Sequence, residues 1–156
     1  MSNVVSAKLF FGVVLDELQS SFPAAVHLQL DDLWPEFEKL AKGRSLALKD
    51  GNRSFREIPV AEVAQSEQLK LQYMKLMLGW MAKEGFLHSD PTSGFVYDYV
   101  LSSKALAVLG LSLAEEKTTL GDALGRATGR VGEAVQAEVV ARLMDKAFEA
   151  IQGMSI

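Results

Sequence analysis

His27 and His88 are the only histidines in this chain of 156 residues, and no cysteine accompanies them. Neither histidine has a second one at the spacing that puts two metal ligands on one helical face. The absence of cysteine removes thiolate nucleophiles, disulfides and cysteine-ligated metals together, and it fits a reducing, cytoplasmic setting. Carboxylates occur as the adjacent pairs Asp16-Glu17, Asp31-Asp32 and Glu115-Glu116. Neighbours on a helix point in different directions, so such pairs read as helix starts and solvated faces rather than acid–base couples. A Gly-x-Ser-x-Gly elbow, a phosphate loop and a dinucleotide fingerprint are all missing from the sequence. The expectation is therefore a protein that is not an enzyme, with no catalytic residue, metal ligand or cofactor site.

Polar side chains suited to nucleic acid form a second set. Gln68, Gln72, Lys75, Gly79 and Lys83 recur every three or four residues and share one narrow face of a helix. Upstream, Lys42, Arg44, Lys49, Arg53 and Arg56 stand against Asp50 alone, a local charge of +4. Glutamine and lysine can touch base edges, and arginines in the preceding loop can neutralise phosphates. Gln68, Gln72 and Lys75 with Arg53 and Arg56 are thus the candidate nucleic-acid contacts. The whole chain argues the other way, because a formal charge of -4 gives no general affinity for nucleic acid or an anionic membrane.

The elements that must position these residues follow from local signals. A helix runs from about Ser6 to Ser20 and stops before Pro23; its run Leu9 to Leu15 is followed by Asp16 and Glu17, as in a core helix rather than a signal peptide. Val26-His27-Leu28-Gln29-Leu30 alternates like a strand, and Asp31 or Asp32 caps a helix to Lys42, with Pro35 in its first turn and Gly43 as its stop. Asp50-Gly51 between Leu46-Ala47-Leu48 and Phe55 suits a hairpin, and Pro59 to Ala64 a single helical turn. Ser66 opens a long apolar helix, Glu67 to Glu84, ended by Gly85. A second hairpin, Phe86 to Leu101, turns around Pro91 and Gly94; Ser102 or Ser103 caps a short helix ended by Gly110.

From Thr118 or Thr119, Leu120, Leu124, Ala127, Val131, Val135, Val139, Leu143, Ala147 and Ile151 draw one apolar stripe along a C-terminal amphipathic helix. Gly121, Gly125 and Gly129 either fray its start or let another backbone approach. Asp122, Arg126, Arg130 and Glu133 make membrane insertion of this glycine repeat costly, and no stretch reaches the roughly 18 to 20 apolar residues of a spanning helix.

Trp80-Met81-Ala82-Lys83-Glu84-Gly85-Phe86-Leu87, the hairpin, and then Leu101-Ser102-Ser103-Lys104-Ala105-Leu106 resemble the winged-helix regulators, departing from their Leu-Thr-x-Lys-Gly pattern in the serines and at Ala105. The resemblance covers residues 67–106. It implies a mostly α fold with a small β hairpin (α+β), a winged-helix-like domain over 1–111 and a helical extension over 112–156. It further implies that Glu67 to Glu84 faces a groove and that His88 to Tyr97 forms the wing. Between Ser66 and Lys104 four lysines balance four carboxylates, the helix lacks arginine, and the wing lacks arginine and lysine. That balance shifts the expectation from a DNA-binding transcriptional regulator, the alternative, to association with a second copy or another protein. The expected contacts are Trp80, Met81, Val131, Val135, Val139 and Leu143.

Overall fold

A computed structural model describes residues 2–49, 54–89, 98–110, 112–113, 118–128 and 133–154. The chain is mostly α with a small β part. In order it forms α1 (Ser2–Ser21), β1 (Val26–His27), α2 (Leu30–Leu40), β2 (Ser45–Lys49), β3 (Phe55–Pro59), α3 (Val60–Val63) and α4 (Glu67–Lys83). It continues with β4 (Leu87–Ser89), β5 (Asp98–Leu101), α5 (Ser103–Leu109), β6 (Ser112–Leu113), β7 (Thr118–Thr119), α6 (Leu120–Thr128) and α7 (Glu133–Met154). The turn residues Asp50, Gly51, Pro91 and Gly94, most of the expected wing, and Glu115-Glu116 lie outside the described residues, as do Gly129 and Arg130.

The broad apolar coverage of α1 has a simple cause: it is the central helix. Leu9, Phe10, Phe11, Val14 and Leu15 are all fully buried, because α1 packs against α2, α4, α6, α7, β2 and β5. Its one buried hydroxyl, Ser6, donates to the Ser45 carbonyl of β2 at 3.1 Å, so the polar atom is satisfied across the core. Phe10 meets Phe37 of α2 and Tyr73 of α4 edge to face at 5.2 and 5.3 Å.

Local signals fix α4 at both ends. Ser66 Oγ accepts from the Leu69 N–H at 3.2 Å. At the other end Gly85 adopts φ +84°, the Phe86 N–H bonds the Met81 carbonyl at 2.9 Å and the Gly85 N–H bonds the Ala82 carbonyl at 3.1 Å. That pair of bonds is a Schellman motif, and Met81 and Phe86, both buried, supply its apolar contact. Lys104 adds a further stop, donating to the Glu84 carbonyl at 2.8 Å with its ammonium 4.9 Å from the Phe86 ring centre. The Ser102 Oγ caps α5 by accepting from the Ala105 N–H at 3.1 Å.

One sheet joins distant parts of the chain in the order β1-β5-β4, all antiparallel, with Val26 opposite Tyr99 and Leu87 opposite Leu101. A separate hairpin, β2–β3, runs in register from Ser45 opposite Pro59 to Lys49 opposite Phe55.

Three expectations are corrected. The strand at Val26 is shorter than its alternation implied, because Leu30 begins α2 and is buried there. Consequently Gln29 is the N-cap without a side-chain bond, Asp31 and Asp32 lie in the first turn, and Pro35 falls in the second. The tail is two helices rather than one: α6 and α7 pack against each other, which consecutive segments of a straight helix cannot do. Both rest on α1, and Leu120, Leu124, Val140, Leu143, Met144 and Ala147 join the same core as the N-terminal residues. Of the two readings of the glycine repeat, close approach holds at Gly121, where an added Cβ would stand 2.5 Å from Gln19 Oε1 and 3.1 Å from the Leu109 carbonyl oxygen.

The Tyr73 hydroxyl is buried, with no hydrogen-bond partner among the described residues, and burial pushes its pKa far above the ordinary phenol value. Its ring stacks on Phe37 at 5.5 Å. Tyr73→Phe keeps that ring and removes an unsatisfied polar atom, so urea unfolding is expected to show unchanged stability or a gain of about 1 kcal/mol. A loss above about 1 kcal/mol would show that the hydroxyl is satisfied.

Candidate functional site

The residues first suspected of chemistry are scattered. His27 Nδ1 lies 2.9 Å from Asp98 Oδ1, a cross-strand contact between β1 and β5, and His88 is exposed on β4. Asp16, Glu17, Asp31, Asp32 and Glu36 line a cleft of about 480 Å³ between α1 and α2. Asp16 is engaged within the fold, accepting from Thr128 Oγ1 at 2.8 Å and Gln19 Nε2 at 2.9 Å. Glu17 has its pKa raised, first by burial and then by the charges of Asp32, Asp16 and Glu36. Among the described residues no three histidine or acidic side chains are placed to hold a metal ion.

The raised Glu17 pKa fixes the sign of a pH effect. A carboxyl titrating higher in the folded chain than its ordinary 4.5 is penalised when ionised. The penalty is present above the folded pKa and fades as pH falls through it toward the unfolded value. Glu17→Gln is expected to raise stability at pH 7 by less than about 1 kcal/mol, since solvent screens this site, and to leave it unchanged near pH 4. Thermal melts at the two pH values check it; equal shifts at both would locate the effect in packing.

The five candidate nucleic-acid contacts do not form one set. Gln72 is committed inside the chain: its Nε2 donates to the Lys49 carbonyl at 2.9 Å and its Oε1 accepts from the Lys49 N–H at 3.0 Å, as a neighbouring strand would. Arg56 pairs with Glu62 of α3 at 3.1 Å. Arg53 lies outside the described residues. Gln68 and Lys75 remain on the solvent face of α4.

The candidate interface residues divide as well. Met81 at 0% exposure and Leu143 at 3% are interior, and Val139 packs partly buried against the core. Val135 belongs to α7, whereas Val131 lies outside the described residues. Trp80 is a large exposed apolar side chain, at 41%. It edges onto Phe11 at 5.7 Å and Phe148 at 6.2 Å, so its position is fixed from below.

Around Trp80 the structure assembles a surface that periodicity alone did not reveal. Leu76, at 48%, is exposed one turn before Trp80 on the same helix. Beside Trp80 a groove of about 440 Å³ is lined by Val4, Ala7 and Lys8 of α1 and Phe148 of α7. Lys8 is paired with Asp145 at its edge. Gly79, one residue before Trp80, is exposed in mid-helix, and an added Cβ there would meet no other described atom within 4 Å. An interior glycine costs a helix about 1 kcal/mol relative to alanine, and none of the described residues requires it here. That glycine beside Leu76 and Trp80 was the sequence signal for this surface.

No family model, curated protein or solved structure matches this chain. Among the described residues no helix is long and apolar enough to cross a membrane.

Proposed function

We propose that this is a winged-helix-like, non-catalytic protein that works by associating with another protein, using the exposed face of α4 and the adjoining groove. The glycine-stopped α4 followed by the antiparallel pair β4–β5, with β1 completing the sheet, supports the winged-helix-like reading. The observation that carries association is the exposure of Leu76 and Trp80, one turn apart on a helix whose opposite side is core, beside the groove lined by Val4 and Phe148. Water-exposed leucine and tryptophan side chains grouped in this way mark contact surfaces.

DNA binding is the second reading, favoured by one feature: α4 exposes Gln68, Lys75 and Lys83 and has no carboxylate from Gln68 to Lys83. Against it stand the commitment of Gln72 and the pairing of Arg56.

Trp80→Asp removes the ring contacts with Phe11 and Phe148, so it is expected to lower the melting temperature by several degrees while the chain stays folded at room temperature, and to abolish association through this face. Light scattering at micromolar concentration reads the case in which the partner is a second copy. Duplex DNA binding that falls steeply with salt, survives Trp80→Asp and disappears in Lys75→Ala/Lys83→Ala would overturn the association reading.

A further inference from the structure

We infer that the line of α4 through Gly79 receives a helix of another protein whose apolar stripe is flanked by carboxylates. This inference rests on the association reading and names the partner's chemistry. Gln72 and Gly79 lie two turns apart on the same line of the helix. At Gln72 that line is already crossed by the chain's own backbone, through the paired hydrogen bonds to Lys49. At Gly79 it is open, with space for a Cβ and no atom to meet it. A glycine at such a point lets a second helix axis come closer than the usual 8–10 Å.

The flanks say what that helix carries. Leu76 and Trp80 on one side of Gly79, with Val4 and Phe148 beyond, offer apolar surface for an amphipathic stripe seated helix-in-groove. Lys75 and Lys83 bracket it, and neither forms an ion pair among the described residues. From Gln68 to Lys83 the helix has no carboxylate. Complementarity therefore asks for acidic flanks on the partner. A second copy is the poorer occupant, because a symmetric crossing of two α4 helices at Gly79 sets lysine against lysine in either sense: Lys75 against Lys83 if antiparallel, like against like if parallel.

Two designed helical peptides of about 18 residues, five turns, provide the probe. They share one leucine stripe and differ only in their flanks, glutamate in one and lysine in the other. Calorimetric titration into the full chain is expected to show the glutamate peptide binding at least about tenfold tighter at low salt, with the ratio shrinking as salt is added. Gly79→Leu is expected to weaken that peptide about tenfold or more while the chain melts no lower than wild type, and Lys75→Glu/Lys83→Glu to reverse the peptide preference. Equal affinity for both peptides, or binding untouched by Gly79→Leu, overturns the proposal. So does tighter, Gly79→Leu-sensitive binding to phosphatidylglycerol vesicles than to the glutamate peptide, which would make the face a membrane contact. If neither peptide binds while self-association sensitive to Trp80→Asp is present, this inference fails and the association reading stands; if both are absent, both fail.

Discussion

Phe11→Ala is expected to cost about 3–5 kcal/mol, the range for emptying a fully buried phenylalanine site. The ring has no exposed surface. Its centre lies 4.8 Å from Phe86, 5.2 Å from Phe148 and 5.7 Å from Trp80, all edge to face. Those three partners come from the turn after α4, from α7 and from α4, so one ring ties the centre of α1 to the middle and to the C-terminal part of the chain. Alanine there leaves a cavity that several helices would have to move together to fill. Against a total stability of roughly 5–15 kcal/mol for a domain, the loss is a large fraction. Denaturant unfolding measures it directly, and Phe55→Ala is the control: that ring is 61% exposed, and its removal is expected to change stability by no more than about 0.5 kcal/mol. A Phe11→Ala cost below about 1 kcal/mol would mean that α7 does not pack on α1 as described. Because Phe11 also lies under Trp80 and Phe148, the same substitution is expected to weaken any ligand of the groove even at temperatures where the chain stays folded.

Gly12→Val is the second large effect, at about 3 kcal/mol of destabilisation, the upper part of the range for overfilling a packed core. A Cβ at residue 12 would stand 2.7 Å from Val140 Cγ1, 3.3 Å from Leu124 Cδ1 and 3.8 Å from Met144 Cγ. These are side-chain rather than backbone atoms, from α6 and α7, so they yield to one carbon more easily than to three. Gly12→Ala is accordingly expected to come out near zero, the helix-propensity gain of about 1 kcal/mol offsetting the squeeze. The diagnostic measurement is a double-mutant cycle with Val140→Ala. That change should recover part of the Gly12→Val loss, with a coupling of about 1 kcal/mol or more, if the two residues touch. Additive costs would place Gly12 and Val140 apart. The prediction separates the Gly12 site from Gly79: both glycines lie inside long helices, yet one is closed by its own chain and the other stands open.

The parts of the fold that were legible in the sequence are those whose causes lie within a few residues. Ser66, Gly85 and Ser102 bound their helices because a cap or a left-handed turn is decided by a hydroxyl or a missing Cβ at one position. The β2–β3 pairing and the single turn α3 also form where local signals placed them. The start of α2 was not. Two aspartates offered good caps, but burying Leu30 gained more than either cap, and the cap moved back from Asp31 or Asp32 to Gln29. Nor was the surface of α4 legible, because leucine, methionine and tryptophan wrap most of that helix and leave its direction undetermined by periodicity. Trp80 and Met81 are neighbours of similar character, yet one is at the surface and the other fully buried.

By itself, then, the sequence determined a mostly helical chain with a small β part, the ends of its central elements, and a charge pattern unfavourable to nucleic acid. Tertiary structure decided that α1 lies at the centre, that the tail folds back as two helices onto it, and that Gln72 holds a strand rather than facing outward. The reason is the range of the forces involved: caps and turns act between neighbouring residues, whereas the exposed or buried fate of an apolar side chain depends on which distant helix arrives to cover it. At Gly79 none of the described residues does, and that opening is what the structure adds to the sequence.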